Sequence, residues 1–359
     1  MSESRSLLVT GAGGSAGHNV CWSLRVSKDG KKVLLTGTDA DRTSLELNPW
    51  IDYAFHLPGA HNRNYVQTLN KVIEREGVEA VFPQPDPEVE RISNDRQKLD
   101  AKIFLPDAET VSNCLDKYAA LSRWHAAKLR RQPVVLSSKD REVNQKIRML
   151  EFPCWIRARE GAGGLLSCLA KEWNTVDHWV RFHWEQGIKT DFIAEEYLPG
   201  RDYCFMSIWQ NGNLVTSMVR ERLSWVGHRL IGSGGTSKLN RVVHSERVNQ
   251  NAMEAIRALS KKPHGIFCVD LKENLEHVPF PTEINCRFTT NVHYLTLASI
   301  RLGHQEWNFP WIAARLAVGE EIPDCKKLNA LPDDLWFTKN TDMGFTMVQG
   351  NHWKAAEVN

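Results

Sequence analysis

Glu283, Asn285 and Arg287 stand at i, i+2 and i+4 in the stretch PFPTEINCRFTT, residues 279–290, with Ile284, Cys286 and Phe288 between or after them. Period-2 alternation puts the three polar groups on one face of a strand and the three apolar ones on the other. A carboxylate, an amide and a guanidinium on one face suit an oxygen-rich, negatively charged ligand held together with a metal ion. A solvated edge strand is the simpler alternative. Upstream, Gly265-Ile266-Phe267-Cys268-Val269-Asp270-Leu271 reads as the other strand of a hairpin, which lets Asp270 face Glu283. Asp270, Glu283 and Asn285 are then hard oxygen donors of the kind Mg²⁺ uses while sharing substrate phosphates.

Two glycine-rich segments offer phosphate chemistry. Residues 152–166, FPCWIRAREGAGGLL, read as a strand carrying Arg157 and then a loop with Gly161, Gly163 and Gly164. Glycines let backbone N–H groups approach phosphate oxygens without a Cβ in the way, and the cation neutralises their charge. Residues 10–17, TGAGGSAG, follow a β-rich run and precede a helix from His18 to Val26. With Gly11, Gly14 and Gly17, and with Asp39 ending the next strand, this βαβ unit is close to a dinucleotide fingerprint. Small residues that merely permit a tight turn are the alternative. No Tyr-x-x-x-Lys pair follows of the kind a short-chain dehydrogenase uses. Arg220, Arg222 and Lys238, in VRERLSWVGHRLIGSGGTSK, are further candidates, with a solvated strand and loop as the alternative.

The positioning elements follow from pattern. Beyond the first βαβ unit come a helix over 64–76, a strand over 78–83, the segment PQPDPEVE, a helix over 89–99 and a strand over 102–105. That alternation predicts a parallel sheet with helices on both faces, ending near residue 107. A helix opened by Asp116-Lys117-Tyr118 is expected to run to about Arg131, its basic end Lys128-Leu129-Arg130-Arg131 solvated. Residues 191–203 read as a strand and a Pro-Gly hinge, and Gln210-Asn211-Gly212-Asn213 as a hairpin turn.

At 359 residues the chain has length for two or three domains. A net charge of +2 without a Lys/Arg stripe gives no nucleic-acid surface, and no apolar run spans a membrane. Eight cysteines without a C-x-x-C pair argue for reduced thiols in a cytoplasm and against a zinc site.

Taken in order, TGAGGSAG, FPQPDPEVE, the Asp116-Lys117-Tyr118 helix start, IRAREGAGG, AEEYLPGRDY and VDLKEN…PTEINCRFTT resemble the ATP-grasp superfamily. The branch is similar to the carbamoyl-phosphate synthase large subunit and the pyrrolysine-biosynthesis ligase, and the resemblance covers roughly residues 5–325. It implies an α/β chain with the ATP-grasp fold. The expected units are a parallel pre-ATP-grasp α/β domain (1–107), a linker helix region and glycine-loop lid (108–200), a larger mixed α/β domain (201–330) and a C-terminal tail (331–359).

By the same resemblance, Lys117 and Arg157 hold ATP phosphates, and Gly161, Gly163 and Gly164 form the loop that closes over them. Glu195 and the Leu198 backbone match the hinge that reads adenine. Asp270, Glu283 and Asn285 match the Mg²⁺ ligands for one or two ions, with Mn²⁺ as a substitute, and Arg287 the cation beside the acyl phosphate. Most members carry Lys where Arg157 stands, and Glu is common where Asp270 stands. The implied activity is an ATP-dependent carboxylate–amine ligase, releasing ADP and phosphate, on a small carboxylate such as an amino acid. Its partners are small molecules, with a homodimer left open. The rival readings are an NAD(P)-dependent oxidoreductase using the N-terminal glycines and a non-catalytic nucleotide-binding regulator.

Overall fold

The structure is a computed structural model that describes residues 5–161, 164, 166–226, 235–339 and 355–356. The first unit is a parallel sheet built from β1 (Arg5–Thr10), β2 (Val33–Asp39), β3 (Tyr53–His56), β4 (Ala80–Phe82) and β5 (Lys102–Ile103). Between the strands run α1 (Ser15–Arg25), α2 (Arg42–Glu46), α3 (Tyr65–Glu76) and α4 (Asp86–Asn94). β1, β2 and β4 are buried Val/Leu/Ala-rich runs, as strands covered on both faces must be. The glycines of residues 11–17 serve packing. Gly11 sits at φ +60 against Pro85, and a Cβ on Gly17 would lie 2.1 Å from the Gly11 carbonyl oxygen. Asp39, the acid a ribose would need, already accepts the Gly13 N–H at 2.9 Å and the Asp41 N–H at 2.8 Å.

Two helices, α5 (Ala108–Leu115) and α6 (Lys117–Ala126), lead to a separate small sheet. Asp107 and Asp116 cap them through their carboxylates, so each begins where a short acid meets free N–H groups. The small sheet holds β6 (Val134–Leu136), β7 (Cys154–Ala158), β8 (Cys168–Ala170) and β9 (Phe192–Glu196) in the order β6-β9-β7-β8, with α7 (Val143–Arg148) and α8 (Trp173–Glu185) packed on it. Cys154, Ile156, Cys168, Val176, Val180 and Phe192 form its own core.

The third unit is an antiparallel sheet of β10 (Asp202–Gln210), β11 (Asn213–Trp225), β12 (Ser237–Val242), β13 (Gly265–Glu273), β14 (Pro279–Asn285) and β15 (Trp336–Thr338). Its order is β14-β13-β10-β11-β12-β15. α9 (Glu246–Leu259) covers one face, burying Phe205, Phe267, Val269 and Ile284. The other face is divided. Its apolar half, with Met206, Ile208, Met218 and Ile266, shares a core with α1, α10 (His293–Leu302) and α11 (Phe309–Val318). Its polar half, around Asp202, Arg220 and Asp270, faces the small sheet. Residues 331–359, expected as a tail, give β15 to this sheet and β16 (Ala355–Ala356) to the edge of the parallel one beside β3. No helix among the described residues is long and apolar enough to cross a membrane. All eight cysteines are free thiols.

Candidate active site

A cavity of about 660 Å³ lies between the small sheet and the polar half of the antiparallel sheet. Around it the structure brings together Lys117, Arg157, Gly161, Gly164, Glu195 and Leu198 from one side. Asp270, Glu283, Asn285 and Arg287 come from the other. Gly163 lies outside the described residues. Of the further candidates, Arg220 and Arg222 line the cavity, whereas Lys238 is exposed and away from it.

The alternation that begins on β14 runs past its end. Ile284, Cys286 and Phe288 are buried, while Glu283, Asn285 and Arg287 are half-buried on the cavity side. Asp270 on β13 stands directly opposite Glu283, and Cys268 opposite Asn285, so the three donors occupy neighbouring register positions. They fit a hard cation. Two facing carboxylates and an amide are open to the cavity, with side-chain exposures of 20% for Asp270 and 30% for Glu283. Among the described residues no three His, Cys, Asp or Glu side chains converge as a ready-made metal cage. A cation here would therefore complete its shell from a ligand, as Mg²⁺ does.

Arg222, directly across from Asp202 on β10, pairs with it at 2.5 Å and reaches Asp270 at 2.9 Å. Burial works against the Arg222 charge, but these two carboxylates outweigh it and raise its pKa. Arg287 leaves the antiparallel sheet altogether. Its Nε donates to Asp86 Oδ1 at 2.6 Å, at the start of α4 in the parallel domain. Burial opposes this charge too, and Asp86 more than offsets it. Asp86 thus fixes where the guanidinium points.

On the lid side, Arg157 pairs through Nε with Glu195 at 2.7 Å and donates Nη2 to the Thr282 carbonyl at 2.6 Å. Its Nη1 lies 3.8 Å from Glu283. The second Glu195 oxygen accepts Arg130 Nη2 at 3.0 Å. The Glu195 side chain is therefore spent on two arginines, and only its backbone remains for a hinge. Lys117, one residue after the Asp116 cap, donates to the Gly161 carbonyl. Burial lowers its pKa, with Glu283 pulling the other way. Trp155 and Tyr197, stacked at 6.4 Å between centroids, join Leu198 in an apolar wall.

The expected solvated helix end is corrected. α6 stops at Ala126, Lys128 turns at φ +61, and Leu129 and Arg130 run inward. Lys128 and Arg131 stay solvated, Arg131 at 68% side-chain exposure, against 1% for Arg130. The signal lay in the β-rich run from Pro133 to Leu136, too close for a helix to reach Arg131. Asp86 and Asp202 were also unassigned by the sequence. Neither bears a local mark, because each acts through an arginine distant in sequence.

No profile of a known family matches the chain, and no curated protein matches its sequence. Solved structures match its fold. One is an L-amino acid ligase from Bacillus licheniformis, 13% identical, covering 89% of this chain and 75% of the other at a TM-score of 0.66. A carboxyaminoimidazole ribonucleotide synthase from Aspergillus clavatus complexed with ATP is 16% identical, covering 93% and 80% at 0.66. A biotin carboxylase from Campylobacter jejuni is 16% identical, covering 89% and 72% at 0.65. All three are ATP-grasp proteins, and the fold of this chain is the ATP-grasp fold.

Proposed function

We propose that this chain is an ATP-dependent carboxylate–amine ligase working through an acyl phosphate. The observation that carries the reading is that one cavity holds two buried cations, Lys117 and Arg157, opposite two facing carboxylates, Asp270 and Glu283. Cations alone would suit any anion, and carboxylates alone any metal. The two together suit a polyphosphate that arrives with a divalent ion. Asp270, Glu283 and Asn285 would hold Mg²⁺, with one Asp270 oxygen shared with Arg222; when bound, the ion neutralises charge on the transferring phosphoryl group.

The chemistry needs alignment and charge neutralisation more than a protein nucleophile. A substrate carboxylate oxygen forms a bond to the γ-phosphorus of ATP as the bond to the departing ADP oxygen breaks. An amine nitrogen then attacks the acyl carbon, phosphate leaves with the C–O electron pair, and the nitrogen loses a proton to water. Lys117 and Arg157 balance the phosphate charge. Arg287, aimed by Asp86, faces the developing acyl phosphate. Trp155, Tyr197 and Leu198 form an apolar wall against which the adenine packs, with the backbone of residues 195–198 to read its edge. Small carboxylates and amines, with an amino acid as one of them, are the substrate class.

The oxidoreductase alternative has little support, because the glycine turn near Gly11 is filled by Pro85 and Asp39 is already bonded. The test is direct. MgATP should raise the melting temperature while NAD and NADP leave it unchanged. With pooled amino acids the protein should release ADP and phosphate. Stabilisation by NADPH alone, or AMP as the product, would overturn the reading.

A further inference from the structure

The cations of the cavity differ in how their charge is met. Arg130 and Arg157 share Glu195, Arg222 lies between Asp202 and Asp270, and Arg287 holds Asp86. Arg220 is the exception among the arginines. It is 3% exposed, lines the cavity, and its hydrogen bonds go to the Ser237 hydroxyl at 3.0 Å and the Asn240 carbonyl, both neutral. Among the described residues it forms no ion pair, and its Nε has no partner. Asp270, on the same face two strands away, is taken by Arg222. A buried guanidinium with only neutral partners is costly in the folded chain unless a ligand brings the missing charge.

The groups beside it narrow the ligand. Asn291 is 2% exposed and donates Nδ2 to the Ser237 hydroxyl at 2.6 Å, which leaves its Oδ1 as an unpartnered acceptor. The Thr289 hydroxyl is unpartnered as well, and both residues line the cavity. Burial, with the nearby charges of Lys339 and Arg220, pushes the His293 pKa down to about 4. A phosphate would meet the Asn291 oxygen lone pairs unfavourably. A zwitterion would not, because its anionic end needs donors and its ammonium needs acceptors.

We propose that the Arg220 end of the cavity is a second anion subsite, taking the α-carboxylate of an amino-acid substrate whose ammonium faces Asn291 Oδ1 and the Thr289 hydroxyl. The proposal rests on the ligase reading of the same cavity and adds which substrate group is bound where. The α-carboxylate at Arg220 is held and is not the group phosphorylated. Phosphoryl chemistry belongs to the Lys117, Arg157 and Arg287 end.

The experiment uses the full chain, by calorimetry and thermal shift, with and without MgADP. Its probes are the free L-amino acids, their α-carboxamides and inorganic phosphate. At least one amino acid should bind the wild type, and its carboxamide should bind at least about tenfold more weakly, as expected for a lost charge-assisted hydrogen bond. Arg220→Gln should lose amino-acid binding by a similar factor while binding MgADP within about twofold of wild type. Asn291→Asp, which supplies a counter-ion internally, should raise the melting temperature of the ligand-free protein and abolish amino-acid binding, and it decides the matter if Arg220→Gln does not fold. The proposal is overturned if no amino acid binds, if carboxamides bind as well as acids, if phosphate alone binds at Arg220, or if both variants keep amino-acid affinity. Failure of the wild type to bind MgADP would sink the ligase reading instead, and amino-acid binding without nucleotide would still decide the Arg220 assignment.

Discussion

Residues 10–17 and residues 157–164 look alike as sequence, each a strand end followed by clustered glycines, yet their surroundings differ. In the first, a Cβ on Gly13 would come within 2.8 Å of the Ser44 and Leu45 backbone, and one on Gly17 within 2.1 Å of a carbonyl oxygen. In the second, Gly161 stands at φ +97 with nothing within 4 Å of where a Cβ would be. The charges diverge as well. Beneath the first turn lie Asp39 and the buried Glu88, whose pKa is raised to about 7, chiefly by burial and further by Asp39. Lys117 and Arg157 stand beside the second. One glycine cluster is small so that protein can fill the space, the other so that a ligand can. What separates them is whether neighbouring backbone has already consumed the room and the polar groups.

Glu283→Gln tests the open region most sharply. It keeps size and shape but removes one of two facing carboxylates, so ADP release should fall at least about a hundredfold, the typical loss on removing one electrostatic stabiliser. Calorimetry should show weaker MgATP binding with the fold intact, and near-native turnover would refute the assignment. Gly17→Ala tests the filled region. It should cost about 3 kcal/mol in denaturant unfolding, since the obstructing atom is backbone and cannot swing away, while MgATP affinity of the folded protein stays the same. Gly161→Ala meets no steric obstruction, but at φ +97 the alanine strains the loop, so it should cost less, about 1 kcal/mol of stability, and, unlike Gly17→Ala, slow turnover.

Glu88→Gln sharpens the electrostatic half of the comparison. With its folded pKa raised to about 7 from the ordinary 4.5, Glu88 binds more proton in the folded than in the unfolded chain between those values. Stability is therefore lost as pH rises through that window and is lowest above it. Removing the carboxylate should stabilise the protein at pH 8 by about 3 kcal/mol and leave it nearly unchanged at pH 4, measured by urea unfolding at both. A variant equally stabilised at both pH values would show that the carboxyl is not held protonated. Asp39→Asn should have the smallest effect, about 1 kcal/mol from weakening the bond to the Gly13 N–H. Loss of MgATP binding in that variant would reconnect the two regions.

Legibility in the sequence followed the range of the interaction. The β14 face could be read because Glu283, Asn285 and Arg287 alternate with Ile284, Cys286 and Phe288 over six residues, and a strand's period is local. β1, β2, α3 and the Asp116 cap could be read for the same reason. Arg130 could not, since its burial is decided by Glu195, 65 residues on, and by a left-handed turn at Lys128. Nor could the pairing of Asp270 with Arg222, or of Arg287 with Asp86, which depends on strand order and on two units meeting. α10 and α11 were also missed. α11 is buried almost throughout, and α10 carries apolar Ile300 and Leu302 on its exposed side, so neither shows the polar stripe that marks an amphipathic helix.

That shared core has a consequence in time. The apolar side of α1 and the buried residues of β1 and β2 are covered in part by Phe309, Trp311, Ile312 and Leu316 of α11 and by Leu295 of α10. During synthesis those helices follow β5 by some two hundred residues, and at ribosomal rates they emerge roughly 10–40 s later. For that interval the N-terminal unit carries an uncovered greasy flank, and the nascent chain needs either a chaperone on it or a transient partner within itself.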